Sequence, residues 1–99
     1  MYKDFNYTNL DKVIHNRLRL AILGALANSE EVDFVSLKNA VHTTDGNLSV
    51  QLKNMEEHGY ITTNKIMDRN RPQTNVALTN QGRRALMQYK RMLDGWFDF

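Results

Sequence analysis

Apolar side chains recur every three or four residues along much of this chain, which is the spacing of one face of an α-helix. The first such stretch predicts a helix over residues 10–27 with Asn9 as its N-cap. Its predicted apolar stripe consists of Leu10, Val13, Ile14, Leu18, Ala21, Ile22, Ala25 and Leu26.

Two further helices are predicted on either side of a short break. The first follows the capping residue Asp33 and has Phe34, Leu37 and Val41 as its buried residues. His42 and Thr43 form the break, and Thr44 can cap a longer helix. The buried stripe of that helix is Leu48, Leu52 and Met55. Gly59 follows its last residue and supplies a left-handed C-terminal cap.

After residue 60 the pattern changes to that of strands. YITTNKIM is rich in β-branched and aromatic residues, and TNVALT has apolar residues at alternate positions. The DRNRPQ stretch between them predicts a hairpin whose tip holds Arg69, Asn70, Arg71 and Pro72. Thr79 can cap a last helix from about Asn80 to Asp94 or beyond. The stripe of this helix is Leu86, Tyr89, Leu93 and Trp96.

This order of elements predicts a mainly α fold with a small β hairpin. A three-helix core, a two-stranded wing and a C-terminal helix make up a winged helix-turn-helix, in which the third helix can enter a DNA major groove. We expect one domain over residues 1–99, with an N-terminal arm at 1–9 and a dimerisation helix within 80–99.

The outward face of the third helix is mostly uncharged, although a face exposed only to water usually carries long charged side chains. Reading base edges requires short amide and hydroxyl groups, and an apolar group for the thymine methyl. Gly46 lets a phosphate backbone approach the first turn closely. The predicted recognition residues are Thr44, Asp45, Gly46, Asn47, Ser49, Val50, Lys53 and Asn54. The alternative is an ordinary surface valine at Val50 and a glycine that only helps the turn.

The hairpin tip carries a second predicted DNA contact. Its residues are Lys65, Arg69, Asn70 and Arg71, which suit a phosphate backbone or a narrow minor groove. A solvated turn is the alternative, because Asp68 partly cancels the charge. The whole chain has 13 Lys and Arg against 11 Asp and Glu, a net charge of +2. The predicted DNA contact surface, or footprint, therefore depends on where the basic residues cluster rather than on a broadly basic domain.

The aromatic residues concentrate at the two ends of the chain, where Phe99 is the last of them. Aromatic side chains left in water form the kind of patch that marks an interface. The predicted homodimer interface consists of Tyr2, Phe5, Tyr7, Leu86, Tyr89, Met92, Leu93, Trp96 and Phe97. A two-fold axis would set two recognition helices about 34 Å apart, on a near-palindromic site in double-stranded DNA. The competing interpretation is that both ends fold back over their own core.

The sequence gives no sign of catalytic chemistry or a cofactor. Three histidines, His15, His42 and His58, lie on separate predicted elements without metal-ligand spacing, so we expect no metal site. Glu56 and Glu57 are adjacent on a helix and point about 100° apart, which does not make a catalytic carboxylate pair. The absence of cysteine fits a reducing cytoplasm, and the longest apolar run is too short to cross a membrane.

Four stretches together carry a family resemblance: RLRLAILGAL, VDFVSLKNAV, TTDGNLSVQLKNMEEHGYI and VALTNQGRRAL. Over about residues 10–86 the chain resembles winged-helix transcriptional regulators of the MarR/ArsR type, in particular a short subgroup whose third helix begins with a TDGNLS-like stretch. The resemblance implies a homodimeric DNA-binding regulator with Asp45 to Asn54 as recognition helix and Arg69 to Arg71 as wing tip. The chain has no cysteine for a thiolate sensor of the ArsR type and is shorter than typical MarR proteins.

We therefore expect a sequence-specific DNA-binding transcriptional regulator, a repressor, that acts as a cytoplasmic homodimer without enzymatic activity. The alternative is a winged-helix module that contacts other proteins and does not bind specific DNA. The sequence identifies no small-molecule effector.

Overall fold

The computed structural model of this protein describes residues 3–99. Four α-helices and three strands follow one another in the order α1, β1, α2, α3, β2, β3, α4. The helices are α1 (Arg17–Ala27), α2 (Phe34–Val41), α3 (Asp45–Glu57) and α4 (Asn80–Trp96). The strands are β1 (Val32–Asp33), β2 (Ile61–Asp68) and β3 (Arg71–Leu78), all antiparallel in the order β1-β3-β2. The winged helix-turn-helix fold is confirmed.

The predicted start of the first helix is wrong. Residues Tyr7–Asn9 form a short 3₁₀ helix, and α1 begins only at Arg17, because the Asn16 side chain accepts a hydrogen bond from the Arg19 N–H. Before the start of α1, the Asp11 carboxylate accepts hydrogen bonds from the N–H groups of Val13 and Ile14. Asn and Asp side chains compete in this way with helical backbone bonding. Residues 10–16 therefore form an irregular segment, although their apolar residues reach the core.

The other predicted helix ends are confirmed. The side chains of Asp33, Thr44 and Thr79 each accept a hydrogen bond from the backbone of the first turn of α2, α3 and α4. Hydrogen bonds from the side chain and backbone of Ser36 hold the pKa of Asp33 below its ordinary value. Gly59 has φ +80° and ends α3 in the left-handed conformation.

The sheet has three strands, whereas the sequence predicted two. β1 is only two residues long and pairs Val32 with Val76 and Asp33 with Asn75. The Asn75 side chain donates to Glu31 at 2.9 Å and accepts from Gln73 at 2.9 Å, so this buried polar residue is hydrogen-bonded. Pairing to β3 creates this strand, and the polar stretch before α2 has no local β pattern.

The wing turn is also shorter than predicted. Asp68 pairs with Arg71, and Met67 with Pro72, so only Arg69 and Asn70 form the tip. Both tip residues have positive φ, +51° and +64°. Two positive φ values in a two-residue loop are typical of a type I′ turn, whose twist matches that of the strands.

One apolar core lies between the three N-terminal helices, the sheet and α4. The buried residues are Ile14, Ile22, Leu23, Leu26, Leu37, Leu48, Leu52, Met55, Ile61, Val76 and Tyr89. Leu23 is fully buried although it was outside the predicted stripe of the first helix, and Ala21, which was inside it, is exposed. The buried face of α1 is thus rotated relative to the predicted stripe, and the helix begins later than predicted, at Arg17.

The N-terminal segment, residues 3–16, runs along α4 and is tied to it at several points. Lys3 donates to the Gly95 carbonyl at 3.0 Å, and the Trp96 indole donates to the Asp4 carbonyl at 3.0 Å. His15 Nδ1 lies 2.9 Å from the Tyr89 hydroxyl. These ties cover one side of α4 within the same chain.

The Tyr60 hydroxyl, at the end of α3, donates to Asp11 of the same segment. Burial of the phenol, and then its hydrogen bond to the carboxylate, raise the pKa of Tyr60 to about 12. The neutral phenol is therefore the form that stabilises this junction.

Candidate nucleic-acid interface

The outward face of α3 is open along most of its length. Asp45, Gly46, Asn47, Ser49, Val50 and Lys53 are all exposed. Val50 is 64% exposed, which is high for a valine in the middle of a helix. A Cβ built on Gly46 would have no described atom within 4 Å, so the glycine serves no packing purpose inside the chain. The face combines short polar groups, one methyl-bearing side chain and close access to the first turn.

Two residues of the predicted recognition set are placed differently from the rest. Asn54 is half-buried, and its Oδ1 is buried without a hydrogen-bond partner among the described residues. The Thr44 hydroxyl accepts the Asn47 N–H at 3.2 Å and so caps α3. Helical periodicity places Asn54 on the same side of α3 as Asn47 and Val50, but its half-buried amide is less accessible than theirs.

Two of the acidic residues around the interface, Asp45 and Glu56, are engaged by other groups of the chain. Lys38 of α2 forms an ion pair with Asp45 at 3.0 Å. Glu56 accepts hydrogen bonds from the Thr63 N–H at 3.1 Å and the Thr63 hydroxyl at 2.8 Å. The first pair neutralises a carboxylate at the start of α3, and the second fixes the base of the wing relative to the end of α3. Sequence reasoning missed this role of Glu56.

Arg19 fixes the other side of α3, and it too was missed by sequence reasoning. Its guanidinium donates to the Gln51 side chain at 2.8 Å and to the Val13 carbonyl at 2.5 Å. It therefore joins α1, α3 and the N-terminal segment. An arginine inside an apolar helical stretch was the only signal in the sequence.

A shallow polar depression of about 450 Å³ lies beside the turn between α2 and α3. Arg17, His42, Thr43 and Gln51 line it together with the start of α1. Arg17 is exposed and adds a cation next to α3 that the predicted footprint did not include. His42 has φ +58°, a conformation usual for glycine or asparagine, and closes the turn at the end of α2.

The wing presents its charged residues to solvent. Lys65, Arg69, Asn70 and Arg71 are all exposed. Arg69 occupies the first position of the turn, where positive φ favours glycine, asparagine or aspartate. An L-residue with a long side chain pays about 1–2 kcal/mol for that conformation. Strained residues of this kind cluster at functional sites.

The predicted dimer residues differ in how far they are exposed. Phe5, Tyr7 and Phe97 are exposed, whereas Tyr2 lies outside the described residues. Leu86, Met92 and Leu93 are half-buried. Tyr89 is only 6% exposed and belongs to the core of its own chain.

Trp96, which was predicted at the centre of the dimer interface, is covered by its own N-terminal segment. The rings of Phe5 and Trp96 lie 6.0 Å apart, and the indole nitrogen is bonded to Asp4. The competing interpretation, in which the chain ends fold back, therefore holds for this side of α4. Tyr89 and Trp96 do not form an open surface because residues 3–16 occupy that side.

Within residues 3–99 no group of three or more His, Asp or Glu side chains is arranged to hold a metal ion. None of the helices in the same part of the chain is long and apolar enough to cross a membrane.

Comparison with known proteins gives consistent results at the levels of sequence and structure. A protein-family model described as a winged helix DNA-binding domain matches residues 18–96. An uncharacterized protein of Methanocaldococcus jannaschii is 37% identical over 78 residues, which are 79% of this chain and 85% of that protein.

Two solved structures extend the comparison. A transcriptional regulator homologue from Pyrococcus horikoshii OT3 has a TM-score of 0.82 at 26% identity, covering 87% of this chain and 85% of that chain. A structure from Porphyromonas gingivalis W83, described as of the MarR family, has a TM-score of 0.72 at 17% identity, covering 100% of this chain and 99% of that chain. At that identity the second match shows the fold alone. This family and fold are those of transcriptional regulators and not of enzymes. The chain belongs to the family of winged helix DNA-binding domains.

Proposed function

We propose that this protein is a sequence-specific transcriptional repressor that binds a near-palindromic site in double-stranded DNA as a homodimer. The α3 helix enters the major groove, and the wing contacts the phosphate backbone or the adjacent minor groove. Repression is part of the proposal because a dimer bound across promoter DNA blocks other proteins, and a promoter reporter with and without the protein tests its direction.

The observation that carries the proposal is the open face of α3. Val50 is 64% exposed and lies between short polar residues, where a thymine methyl and base-edge groups find matching partners. The charges support the same surface. Lys53 and the wing cations are exposed, while Asp45 is paired with Lys38. Once the Asp45–Lys38 pair is set aside, the charge that remains on α3 and the wing is more favourable to phosphate than the sequence alone indicates.

Two substitutions on this face test the proposal. We expect Asn47→Ala and Val50→Ala each to weaken binding to the specific site by about 1–3 kcal/mol while binding to random DNA changes little. Asn80→Ala is the matched control for Asn47→Ala, because Asn80 is an exposed residue at the start of α4. Affinities are measured by fluorescence anisotropy at one salt concentration, with the specific site first selected from random oligonucleotides.

Three results would count against the proposal. Equal losses on specific and random DNA would mean that the face does not read sequence. A loss of the same size for Asn80→Ala would point to a general effect on the fold. The absence of any salt-dependent DNA binding would favour the protein-contact module instead.

A further inference from the structure

The two faces of the wing hairpin are directed to different surroundings. Side chains two residues apart on a strand share a face, and so do residues paired directly across two strands. Ile61 and Val76 are buried in the core, so their face of the sheet is the one that packs on the helices. Thr63 lies on the same face, and its hydroxyl donates to Glu56 of α3 at 2.8 Å. This inner face continues toward the wing tip through Lys65, Met67, Thr74 and Pro72.

The outer face of the wing is different in charge. Asp68 and Arg71 lie directly opposite each other on it, next to the turn. Opposite charges in such a pair attract each other, so the carboxylate offsets the cation at this point. Lys65, the only charged residue of the inner face between Thr63 and the turn, has no such partner across the strands, because it pairs with Thr74. The inner face is therefore the more favourable one for DNA.

The end of the inner face is apolar. Met67 is 67% exposed, and Pro72 lies directly opposite it and is exposed as well. Proline has no N–H, so the two residues form a pair without mutual hydrogen bonds, in which side chains lie closest together. Only the closing pair and the two tip residues, Arg69 and Asn70, lie beyond them. The wing thus carries an apolar pair one step from a tip that holds a cation and an amide.

We propose that Met67, backed by Pro72, is an apolar wedge that enters the DNA minor groove, opens one base step and so bends the binding site. This inference rests on the proposed function and deepens it. With α3 in the major groove, a wing beside it lies across the phosphate backbone. The inner face is turned toward α3, so Lys65 meets the phosphates and Met67, nearer the tip, reaches the minor groove.

The composition of the wing end matches this mode of binding. Proteins that bend DNA from the minor groove insert apolar side chains, methionine and proline among them, and read the groove with arginine and asparagine. Met67, Pro72, Arg69 and Asn70 supply all four side chains within one turn of the hairpin. The Glu56 bonds to Thr63 fix the base of the hairpin to α3, so the wedge is held at a constant distance from the reading helix.

A wedge of this kind selects sequence without hydrogen bonds to the bases. Pyrimidine–purine steps such as TA and CA unstack more easily than the steps of a stiff A-tract. We therefore expect the unmodified chain to prefer a pyrimidine–purine step at the place where the wing enters the minor groove. Replacing that step by an A-tract should weaken binding of the unmodified chain and have little effect on a chain without the wedge.

Two neighbouring residues of β2 provide the test. Met67 and Ile66 are both exposed and apolar, but they lie on opposite faces of the wing. The probe is a short duplex that holds a site selected from random oligonucleotides and has a dye at each end. Energy transfer between the dyes reports the bend, and anisotropy reports the affinity. We expect Met67→Ala to lose most of the bend and about tenfold in affinity, the scale of one buried apolar side chain. Ile66→Ala should retain both.

Met67→Lys separates a wedge from a general effect of charge. This variant adds a cation at the same position, and we expect it to lose the bend as Met67→Ala does. Tighter binding of Met67→Lys to all DNA with an unchanged bend would show that the inner face only approaches phosphate, and would overturn the wedge. Circular dichroism of each variant is compared with that of the unmodified chain to verify that the fold is retained.

The outcomes separate this inference from the proposed function. Specific binding without a bend, a bend that survives Met67→Ala, or equal losses for Met67→Ala and Ile66→Ala would overturn the wedge and leave sequence reading by α3 standing. A bend that depends on Met67 but forms equally on random DNA would support the wedge and reject the sequence-specific function. A chain that binds no DNA would reject both.

Discussion

Gly82, in the first turn of α4, is the tightest point between that helix and the start of β2. A Cβ at this position would lie 2.1 Å from the Tyr60 carbonyl oxygen, 2.9 Å from the Tyr60 carbonyl carbon and 3.0 Å from Leu78 Cδ1. Two of these atoms belong to the backbone and cannot rotate away. The carbonyl is itself held by the Thr79 N–H at 3.0 Å, and the Gly82 N–H is held by the Thr79 hydroxyl at 2.9 Å. An added methyl group must therefore push α4 off the sheet by roughly 1 Å, to reach ordinary van der Waals contact.

We expect Gly82→Ala to lower the free energy of unfolding by about 1–3 kcal/mol, the usual cost of overpacking. The gain in helix propensity, up to about 1 kcal/mol, is smaller near a helix end and does not offset this cost. Gly95→Ala is the control on the same helix, because a Cβ there meets no described atom within 4 Å. It should leave stability unchanged or raise it by up to about 1 kcal/mol.

Urea unfolding followed by circular dichroism measures both variants. The protein concentration must be the same throughout, because the proposed dimerisation would make the apparent stability depend on concentration. A Gly82→Ala variant within about 0.5 kcal/mol of the original chain, the range of ordinary surface substitutions, would contradict the close seating of α4 on Tyr60.

Three further predictions concern the wing, its base and α2. Arg69→Asn should weaken binding to all DNA and reduce the slope of the logarithm of the binding constant against the logarithm of salt concentration by about one unit per site. Stability should stay equal or rise, because asparagine tolerates positive φ. An unchanged slope would show that the wing tip does not contact DNA. Glu56→Ala should weaken DNA binding by freeing the wing base at Thr63, whereas Glu56→Gln keeps an acceptor and should not; equal effects in anisotropy titrations would contradict this role. Hydrogen bonds from Ser36 lower the pKa of Asp33 in the folded state. The Asp33 carboxylate therefore contributes to the free energy of unfolding at pH values above its unfolded-state pKa near 3.8, and this contribution is lost as the pH falls through the folded-state pKa. Unfolding measured from about pH 5 to pH 2 should therefore show a steeper loss for the original chain than for Asp33→Asn, which keeps the cap without a titrating group.

The helix ends that the sequence predicted correctly are those with local signals. A capping side chain three residues before its acceptor N–H, as at Thr44 and Thr79, acts within one turn and leaves a readable pattern. Gly59 is likewise a local signal, since positive φ is required where α3 ends. The outward face of α3 follows from the same periodicity, so most of the candidate DNA-reading residues could be chosen from the sequence.

The features that the sequence did not predict depend on distant contacts. Residues 10–16 carry apolar side chains at helical spacing, but Asp11 and Asn16 divert the backbone, and α4 and Tyr60 hold the segment. β1 is a strand only because β3 offers Asn75 and Val76 as partners. The open side of α4 could not be inferred from its own stripe, because which side is covered depends on where residues 3–16 lie.

The small number of cations on the proposed DNA surface is one reason to propose that two chains act together. Lys53, Lys65, Arg69 and Arg71 are exposed on α3 and the wing of one chain. If each neutralises one phosphate, the logarithm of the binding constant falls by only about 3–4 units per tenfold rise in salt, which describes a weak complex. The proposed homodimer would double that number, and the base contacts of its two chains would add in free energy on one rigid body. A variant that cannot form the proposed dimer should therefore bind a two-fold site more weakly than a dimeric variant that lacks any single base contact.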